Sequence, residues 1–597
     1  MRRYLTCLAL ASLPLFAAPD GAAIYAKRCA ACHDGPAQAR MPSREEISKR
    51  APETIVSAML SGAMMPQSAG LNDEDARAIA RYLTGKEIGT ASAQSTAGAC
   101  PAGAKAFRMS GESWNGWSTD TANTRYQQKP GLTAADVPKL KLKWAFGFPD
   151  TTVAFAQPAI VGGRVFVGSG SGKVYSLDAA TGCTYWSYDA GIGVRSGVVV
   201  GPIAGGGFAA YFGDTRATLH AVDASTGKPL WKLRLDDHPV ARITGSPVLY
   251  KDRLYVPVSS VEEASAMQST YECCKFRGSV VALDAATGKQ IWKTFSVTDP
   301  PQPTKKTKAG VQLYGPAGAA IWSAPTIDPK RRLVYAATGN SYTDVDINTS
   351  NAILAIDMDS GSLKWARQVT PKDNFVMGCR PGKDGCPAEL GPDVDFGSSP
   401  ILRDLSGGKQ IILAGQKSGV LYGMDPDQQG KILWQIKLGN GGALGGIEWG
   451  FAADPSNAYV AVSDRFNRNG PAGGIHAVNI NTGEKLWTTP APKLDCAPMA
   501  KGCSGAQSAA ISVIPGVVFS GSVDGHFRAF STKTGEIVWD VNTAQPYQTV
   551  NGVPAQGGSL DAGGPAIANG IVFTNSGYGL WQGIGGNVLL AYSVDGK

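Results

Sequence analysis

The sequence predicts a mainly β protein, an eight-bladed β-propeller with a small all-α domain at its N-terminus. An alternating strand, a turn related to Asp-x-x-Thr-Gly and a strand that ends in Trp recur seven times after residue 101, and the turn matches Asp-x-x-Thr-Gly in full in three of these units. An eighth Trp, Trp144, precedes this series, and a Cys-Ala-Ala-Cys-His motif stands near the N-terminus. Gly accounts for 74 of the 597 residues, which suits a chain with many tight turns.

The first 18 residues are typical of a secretory signal. Arg2 and Arg3 form a short basic region, an apolar stretch follows, and Ala17 and Ala18 offer a cleavage point. An uncleaved anchor is the alternative. No later apolar run is long enough to span a bilayer, so we predict no integral membrane segment and a periplasmic or secreted protein in which disulfides can form.

Composition excludes several classes of protein. With 43% hydrophobic and 17% charged residues the chain can bury a core, which argues against global disorder. The glycines have no three-residue period, so the chain is not collagen-like. The net charge of +8 is spread without a long basic run, so no nucleic-acid partner is expected.

The motif at 29–33 predicts a covalent haem c. Cys29 and Cys32 are one helical turn apart and can bind both vinyl groups, and His33 then lies under the iron. A zinc site would need two further ligands, but the next His is His220. The small N-terminal domain is therefore predicted to be a cytochrome c domain.

A methionine is the expected sixth ligand of the haem iron because His/Met ligation suits electron transfer. Met64 and Met65 are both candidates, and we favour Met64. Asn72 is expected to cap the closing helix, with apolar residues at helical spacing and Gly85 as its end. The predicted domains are a signal peptide at 1–18, a cytochrome domain at 19–86, a linker at 87–100 and a propeller at 101–597.

Eight Trp positions predict eight blades. Asn587 to Val594 lacks a following Trp strand and Leu140 to Phe146 lacks a preceding turn strand, so together they complete one blade and close the ring. A β-solenoid is the alternative fold. Long insertions at 259–277, 294–321 and 366–396 interrupt the repeat, and such insertions are usually functional.

Eight cysteines remain after the signal and the haem motif, an even number that fits a disulfide framework. Two pairs close short loops, Cys379 with Cys386 and Cys496 with Cys503, and Cys100 with Cys183 follows by elimination. Cys273 and Cys274 either bridge each other, or are free or paired elsewhere.

The repeat resembles the Trp-docking motif of the alcohol dehydrogenases that use pyrroloquinoline quinone (PQQ), which are eight-bladed propellers. The resemblance covers 101–597. The cytochrome ahead of the propeller, Trp-Asn-Gly-Trp at 114–117, Asn-Thr-Arg-Tyr at 123–126 and Tyr-Glu-Cys-Cys-Lys-Phe-Arg-Gly at 271–278 make the chain most similar to the polyvinyl-alcohol dehydrogenase branch.

This resemblance implies an enzyme that oxidises a secondary or polymeric alcohol to a ketone with PQQ. Electrons would pass one at a time to the haem and then to an external cytochrome or azurin-like carrier. An aldose or aldehyde dehydrogenase on the same cofactor is one alternative. A non-catalytic exported scaffold is another, because such proteins share the repeat.

The resemblance also implies catalytic residues. Pro-Asp-Val-Asp-Phe at 392–396 matches the family segment that carries the catalytic carboxylate, which puts the base on Asp393 and a second acid on Asp395. A carboxylate is needed there because the hydroxyl proton must leave as the carbinol carbon is oxidised. Lys417 matches the cation that hydrogen-bonds the quinone oxygen.

Further positions are implied to contact PQQ. Trp322 matches the indole under the quinone, and Arg195 matches an Arg that pairs with one of its three carboxylates. Gln157 stands where relatives often have Glu. A Cys273–Cys274 bridge would cover the face of the quinone opposite Trp322.

Calcium is the third implied cofactor and needs oxygen ligands. Asn340 and Asp393 match two family ligands. Glu272 is the expected third ligand, although its spacing is one residue out, and Glu262 and Glu263 are held in reserve.

Overall fold

The computed structural model describes residues 19–35, 42–50, 52–60, 64, 67–68, 71–87, 98–101, 107–203, 205–466, 473–494 and 500–597. They fall into two compact units. The smaller contains the described residues up to 56 and 71–87, and the larger contains those between 57 and 70 together with 98–597. The boundaries given above for signal, cytochrome domain and linker stay predictions.

Within the described N-terminal residues, five α-helices precede the first strand of the propeller. They are α1 (Gly21–Arg28), α2 (Ala30–His33), α3 (Arg44–Ser48), α4 (Pro52–Leu60) and α5 (Asp73–Thr84). The predicted caps of α5 are confirmed: the Asn72 side chain accepts the Asp75 N–H, and Gly85 ends the helix at a φ of 66°. In α1, a Cβ on Gly21 would lie 2.1 Å from the Ala78 carbonyl oxygen, so glycine permits the close approach to α5. Within the described ranges no helix is long and apolar enough to cross a membrane.

The larger unit is an eight-bladed propeller, as predicted. Its first strand, β1 (Leu140–Gly147), belongs to the last blade. The first blade contains β2 (Ala159–Val161), β3 (Arg164–Gly168), β4 (Lys173–Asp178) and β5 (Thr184–Asp189). The second contains β6 (Val199–Pro202), β7 (Phe208–Gly213), β8 (Thr218–Asp223) and β9 (Pro229–Arg234). The third contains β10 (Ala241–Arg242), β11 (Val248–Tyr250), β12 (Arg253–Ser260), β13 (Ser279–Asp284) and β14 (Gln290–Phe295).

The remaining blades follow the same plan. A hairpin of β15 (Gln302–Lys306) and β16 (Gln312–Gly315) precedes the fourth blade, which contains β17 (Thr326–Asp328), β18 (Leu333–Ala337), β19 (Ala352–Asp357) and β20 (Leu363–Gln368). The fifth contains β21 (Ile401–Asp404), β22 (Gln410–Gly415), β23 (Val420–Asp425) and β24 (Lys431–Lys437). The sixth contains β25 (Ala452–Ala453), β26 (Asn457–Ala461), β27 (Gly474–Asn479) and β28 (Lys485–Pro490). The seventh contains β29 (Ser512–Ile514), β30 (Val517–Gly521), β31 (His526–Ser531) and β32 (Ile537–Asn542).

The eighth blade closes the ring with strands from both ends of the propeller. After the short hairpin of β33 (Pro546–Tyr547) and β34 (Ala555–Gln556) come β35 (Ala566–Ala568), β36 (Ile571–Ser576) and β37 (Val588–Val594). Strand β37 lies between β36 and β1, and Leu140 pairs antiparallel with Val594. The predicted closure is confirmed, and it protects the edges that an open ring would leave.

The repeat works by docking each Trp onto the next blade. Trp144 Nε1 donates to the Ala179 carbonyl at 3.1 Å, and the ring packs on Gly182 of the same turn. Six further indoles donate across blades in the same way: Trp186 to Ala224, Trp231 to Ala285, Trp292 to Met358, Trp434 to Ile480, Trp487 to Thr532 and Trp539 to Leu140. Trp365 packs against Gly430. The first residue of the turn holds it, as Asp178 does by accepting the Ala180 and Thr181 N–H groups, and Asn479 and Ser531 take this place in two later turns.

Three disulfides join described cysteines: Cys100–Cys183, Cys273–Cys274 and Cys379–Cys386. These predicted pairs are confirmed, including the bridge between neighbours. Cys503 is also disulfide-bonded, and its predicted partner Cys496 lies outside the described residues.

We expect Gly361→Ala to destabilise the propeller much more than Gly408→Ala. Both glycines have a positive φ, 73° and 74°, so each alanine costs about 1 kcal/mol of backbone strain. A Cβ on Gly361 would also lie 2.7 Å from the docked Trp292 ring, whereas nothing lies within 4 Å at Gly408. This collision adds about 1–3 kcal/mol. Calorimetric melting of the two variants measures the difference, and equal shifts in Tm would contradict the docking role of the glycine.

Candidate functional site

A cavity of about 660 Å³ in the propeller gathers most of the predicted site residues. Its lining residues include Arg195, Trp322, Asn340, Asp393, Asp395 and Lys417. The three insertions contribute to the same cavity. Short helix α6 (Glu262–Ser265) supplies Glu263, Trp322 directly follows the second insertion, and Asp393 and Asp395 end the third.

Lys417 and two carboxylates form the polar centre of the cavity. Lys417 Nζ lies 2.8 Å from Asp393 Oδ1 and 3.5 Å from Asp395 Oδ2, and all three side chains are nearly buried. Burial would lower the pKa of Lys417, but the two carboxylates outweigh it and raise the pKa. Burial raises the pKa of Asp393 to about 7 although Lys417 opposes the shift. A carboxylate with a pKa near neutrality is suited to general-base chemistry.

Asp395 fixes the position of two other site residues. Its Oδ1 accepts the Asn340 backbone N–H at 2.7 Å, and its Oδ2 accepts the Trp322 indole N–H at 3.2 Å. The ring of Trp322 lies so close to Gly397 that a Cβ there would come within 2.2 Å of it. Asp395 therefore orients the indole and the Asn340 backbone within one cavity.

The Asn340 amide is oriented to present its oxygen as a ligand. Its Nδ2 donates to the Ser341 and Phe375 carbonyls at 2.7 and 2.9 Å. Both N–H groups are thereby used, so the Oδ1 acceptor is left for another group. An amide oxygen beside carboxylates is the donor chemistry that Ca²⁺ prefers.

Of the glutamates considered as calcium ligands, Glu263 lines the cavity and Glu272 does not. Burial, with Asp393 and Asp395 nearby, raises the pKa of Glu263 to about 8, which marks a cluster of acids with too little positive charge. Within the described ranges no three acid, thiol or imidazole groups form a metal site by themselves. A cation here would therefore need the Asn340 oxygen as a ligand in addition to carboxylates. The cavity provides both kinds of oxygen, so its residues fit a calcium ion.

Arg195 and Arg242 bring two positive charges to the same cavity. Both line the cavity, burial lowers both pKa values, and Arg195 further lowers that of Arg242 to about 10. The Arg195 guanidinium stacks on Trp449 at 4.0 Å, and Trp449 meets Trp322 edge to face with ring centroids 5.1 Å apart. Flat indole walls and two like-charged guanidinium groups fit an aromatic polyanion such as PQQ.

Asp373 was missed by the sequence analysis and supports Asp393. Its Oδ1 accepts the Asp393 N–H at 2.9 Å, and its Oδ2 accepts the Val394 N–H at 2.8 Å. Asp393 has a φ of 58°, a conformation that residues other than glycine rarely adopt. The fully buried Asp373 carboxylate holds this turn, but no local motif marks it because it lies 20 residues upstream.

Trp449, Glu448 and Arg242 also line the cavity without having been predicted. One signal could have found Trp449. Like Trp322, it falls outside the Trp register of the blades. Glu448 is the residue before it.

The structure corrects the expectation for Glu272 and one of its reserves. Glu272 is half exposed and pairs with Lys275 at 2.7 Å, and it does not line the cavity. Glu262 is fully buried but already committed, because it accepts the Lys275 and Phe276 N–H groups and the Tyr271 hydroxyl. It fixes the 271–276 segment.

Two further predicted contacts to PQQ stay predictions. Gln157 is buried and lines a smaller pocket that shares Arg195, Trp322 and Trp449 with the cavity, and its Oε1 accepts from Arg125 and the Gly564 N–H while its Nε2 donates to the Pro158 carbonyl. Its polar atoms are thus already used by the protein. Cys273 and Cys274 do not line the cavity either. They belong to a hydrophobic cluster against which Trp322 also packs.

The haem motif fits its cofactor in the smaller unit. Cys29 and Cys32 are free thiols, and Cys32 is exposed. His33 is buried, and its Nδ1 lies 2.8 Å from the Pro42 carbonyl. A carbonyl can only accept, so Nδ1 carries the proton and Nε2 is left as a metal ligand. Met64 is described in the larger unit, and Met65 lies outside the described residues.

Three family models match the chain. Residues 114–440 match the model described as glucose/ethanol/alcohol dehydrogenase, beta-propeller domain. Residues 16–83 match cytochrome C oxidase, cbb3-type, subunit III, and residues 416–582 match outer membrane protein assembly factor BamB.

Relatives match over nearly the whole chain. A polyvinylalcohol dehydrogenase of a Pseudomonas species is 45% identical, over 99% of this chain and 96% of the relative. Its counterpart from Sphingopyxis sp. strain 113P3 is 44% identical, over 97% and 93%. The crystal structure of the quinohemoprotein alcohol dehydrogenase from Comamonas testosteroni shares the fold with a TM-score of 0.59 at 20% identity, covering 81% of each chain.

We expect Asp373→Asn to lower turnover by about tenfold or more, because an amide can accept only one of the two backbone N–H groups at 393 and 394. Asp214→Asn is the matched control. Asp214 is also buried and accepts two backbone N–H groups, of Arg216 and Thr218, both on its Oδ1, so an amide there can keep both bonds, and it supports no residue of the cavity. Only Asp373→Asn should lower turnover. Parallel losses in both would show that Asp373 acts on stability alone.

Proposed function

The chain belongs to the PQQ-dependent quinohaemoprotein alcohol dehydrogenases, and from this membership we propose that it oxidises the secondary hydroxyl groups of a polymeric alcohol to ketones outside the cytoplasm. PQQ and haem c are its cofactors. A non-catalytic scaffold is therefore not the function. The observation that carries the proposal is one cavity containing a buried acid–lysine pair, a stacked indole wall and two guanidinium groups.

PQQ supplies the two-electron oxidation, and the chain supplies its binding and the movement of protons. Trp322 and Trp449 form the aromatic walls, and Arg195 and Arg242 balance anionic groups. Asp393 accepts the proton of the substrate hydroxyl group. Lys417 holds the Asp393 carboxylate at 2.8 Å and keeps its charge partly compensated.

Calcium is proposed to bind Glu263, Asn340 and Asp393. Three features support this set: the raised pKa of Glu263, the free Oδ1 of Asn340 and the lining position of all three residues. A divalent cation would relieve the repulsion among the buried acids. Glu263 replaces Glu272 in this proposal.

Apolar residues at the opening of the cavity support the proposal of a substrate with a long hydrocarbon backbone. Phe466 and Trp581 line it, although 39% and 37% of their surfaces are exposed. Leu444, Leu580 and Met377 line the same cavity. Apolar side chains at an opening suit a chain that enters with only some of its hydroxyl groups inside.

Electrons are proposed to pass to haem c, with His33 and Met64 as axial ligands, and from there to an external cytochrome or similar carrier. His33 is the better supported ligand because its Nδ1 hydrogen bond leaves Nε2 free. A periplasmic or secreted location is also part of the proposal and rests on the signal peptide predicted at 1–18, which lies outside the described residues.

We expect Trp581→Ala to raise KM for polyvinyl alcohol about tenfold while KM for a short secondary alcohol stays unchanged, because only a long chain reaches the opening. Leu433→Ala is the control, since Leu433 is 48% exposed on β24 and does not line the cavity. Dye-linked turnover of the enzyme loaded with PQQ and calcium measures both substrates. Equal changes for both substrates would contradict a polymer subsite, and aldehyde turnover exceeding alcohol turnover would contradict the substrate class.

Asp393→Asn should lower turnover by about 10²-fold or more, because asparagine keeps an oxygen for the metal but cannot accept the hydroxyl proton. PQQ binding, followed by absorbance, should persist. Near-normal turnover in this variant together with loss in Asp395→Asn would move the role of base to Asp395.

Glu263→Gln should raise the calcium concentration needed for half-maximal PQQ loading by about tenfold or more, because it removes a charged ligand. Glu272→Gln is the matched control and should load like the unmodified protein. Calcium titration of the apoprotein with PQQ, read by absorbance, does not depend on turnover. The opposite pattern would restore Glu272 as the ligand.

A further inference from the structure

A buried serine bridges two carboxyl groups beside the cavity. Ser508 Oγ lies 2.9 Å from Glu448 Oε2 and 2.9 Å from Asp561 Oδ1, and Ser508 is almost fully buried. A hydroxyl group has one proton and can donate to only one of these oxygens at a time. If both contacts are hydrogen bonds, one carboxyl group must carry a proton and donate it to Ser508.

The surroundings decide which carboxyl group carries it. Asp561 pairs with Arg465 at 3.1 Å and accepts the Ala562 N–H at 2.8 Å, which favours its ionised form. Within the part of the chain that the structure describes, Ser508 is the one hydrogen-bond partner of the Glu448 carboxyl group. The proton therefore belongs to Glu448, which also lines the cavity.

Burial raises the pKa of both carboxyl groups, and at Asp561 the Arg465 guanidinium and the Ala562 N–H oppose the shift. The pKa of Glu448 rises to about 7, and Asp561 adds to the effect while Lys417 and Arg465 oppose it. Arg195 and Tyr578 also interact electrostatically with this carboxyl group. Glu448 is therefore a group that can exchange its proton near neutral pH.

We propose that Glu448, held by Ser508 and the Asp561–Arg465 pair, is a second proton-exchanging residue of the cavity in addition to Asp393. The proposal rests on the alcohol oxidation proposed above. Conversion of one secondary alcohol to a ketone breaks one C–H and one O–H bond, forms the C=O double bond, and releases two electrons and two protons. PQQ and haem c, when bound, would supply the acceptors for the two electrons, one proton goes to the Asp393 carboxylate, and the other goes to Glu448 in its carboxylate form. Glu448 then returns that proton to water at the cavity opening.

Ser508 and Asp561 are positioning residues in this scheme. With Asp561 ionised, the Ser508 hydroxyl points to it, which leaves the Ser508 lone pairs to accept the Glu448 proton. The bridge thus stabilises the protonated form of Glu448, and without Ser508 the carboxyl group loses its proton acceptor.

The first test is infrared spectroscopy of the apoprotein, which needs neither cofactor nor turnover. The difference spectrum between the unmodified protein and Glu448→Gln should contain the C=O stretch of a protonated carboxyl group, shifted in D2O and lost between about pH 6 and about pH 9. Ser508→Ala should move this band and its titration. Ser520→Ala should not, because the equally buried Ser520 donates to Gln507 Oε1 at 2.7 Å. A difference spectrum without a carboxyl band overturns the assignment.

The second test is the pH profile of the loaded enzyme. Glu448→Gln should lower kcat about tenfold near pH 7 and remove one ionisation from the profile, with a changed solvent isotope effect and little change in KM. An unchanged profile in a variant that has lost the band overturns the role in turnover. If the unmodified enzyme oxidises no alcohol, the proposed function fails, and the infrared result still decides whether Glu448 holds the proton.

Discussion

The contact of a docked indole with a glycine of the following blade constrains the geometry of the propeller. Trp292 illustrates the constraint, since its indole N–H donates to the Met358 carbonyl while its ring rests on Gly361. A Cβ at that glycine would occupy the place of the ring, so the hydrogen bond depends on the glycine. Repeated at seven of the eight Trp positions, this contact fixes the angle between neighbouring blades and so keeps the inner loops of distant blades at a constant separation.

On that ring, the insertions determine the chemistry. Glu263 and Asp393 come from two different interruptions of the repeat and Trp322 directly follows a third, and they share a cavity because the blades that carry them are held in register. The cavity collects both acids and guanidinium groups. Each like-charged group is costly to bury alone, so the protein carries in its fold an electrostatic need for a cation and for an anionic aromatic ligand.

The regular parts of the molecule were predictable from sequence because they repeat. The strand that contains Trp144 lacks a preceding turn strand and the strand at 587–594 lacks a following Trp strand, so the two were assigned to one blade. Trp322 could be singled out because it does not belong to the Trp repeat. Glu272 and Glu263 show where this reasoning ends. Helix α6 places Glu263 at the cavity, whereas Glu272, which follows in the same irregular insertion, is half exposed and does not line the cavity. The sequence does not show which of the two side chains points inward. Asp373 could not be inferred, since its bonds to the 393–394 backbone exist only after folding.

The position of β37 has a consequence for biosynthesis. This strand is made after every other described strand, yet it lies inside the eighth blade between β36 and β1, which was made first. While the polypeptide is still emerging, blades can form one after another, but β1 has no sheet to join and the circle stays open. Folding of the last blade therefore follows the synthesis of β37, and until then the blades form an arc with two exposed ends.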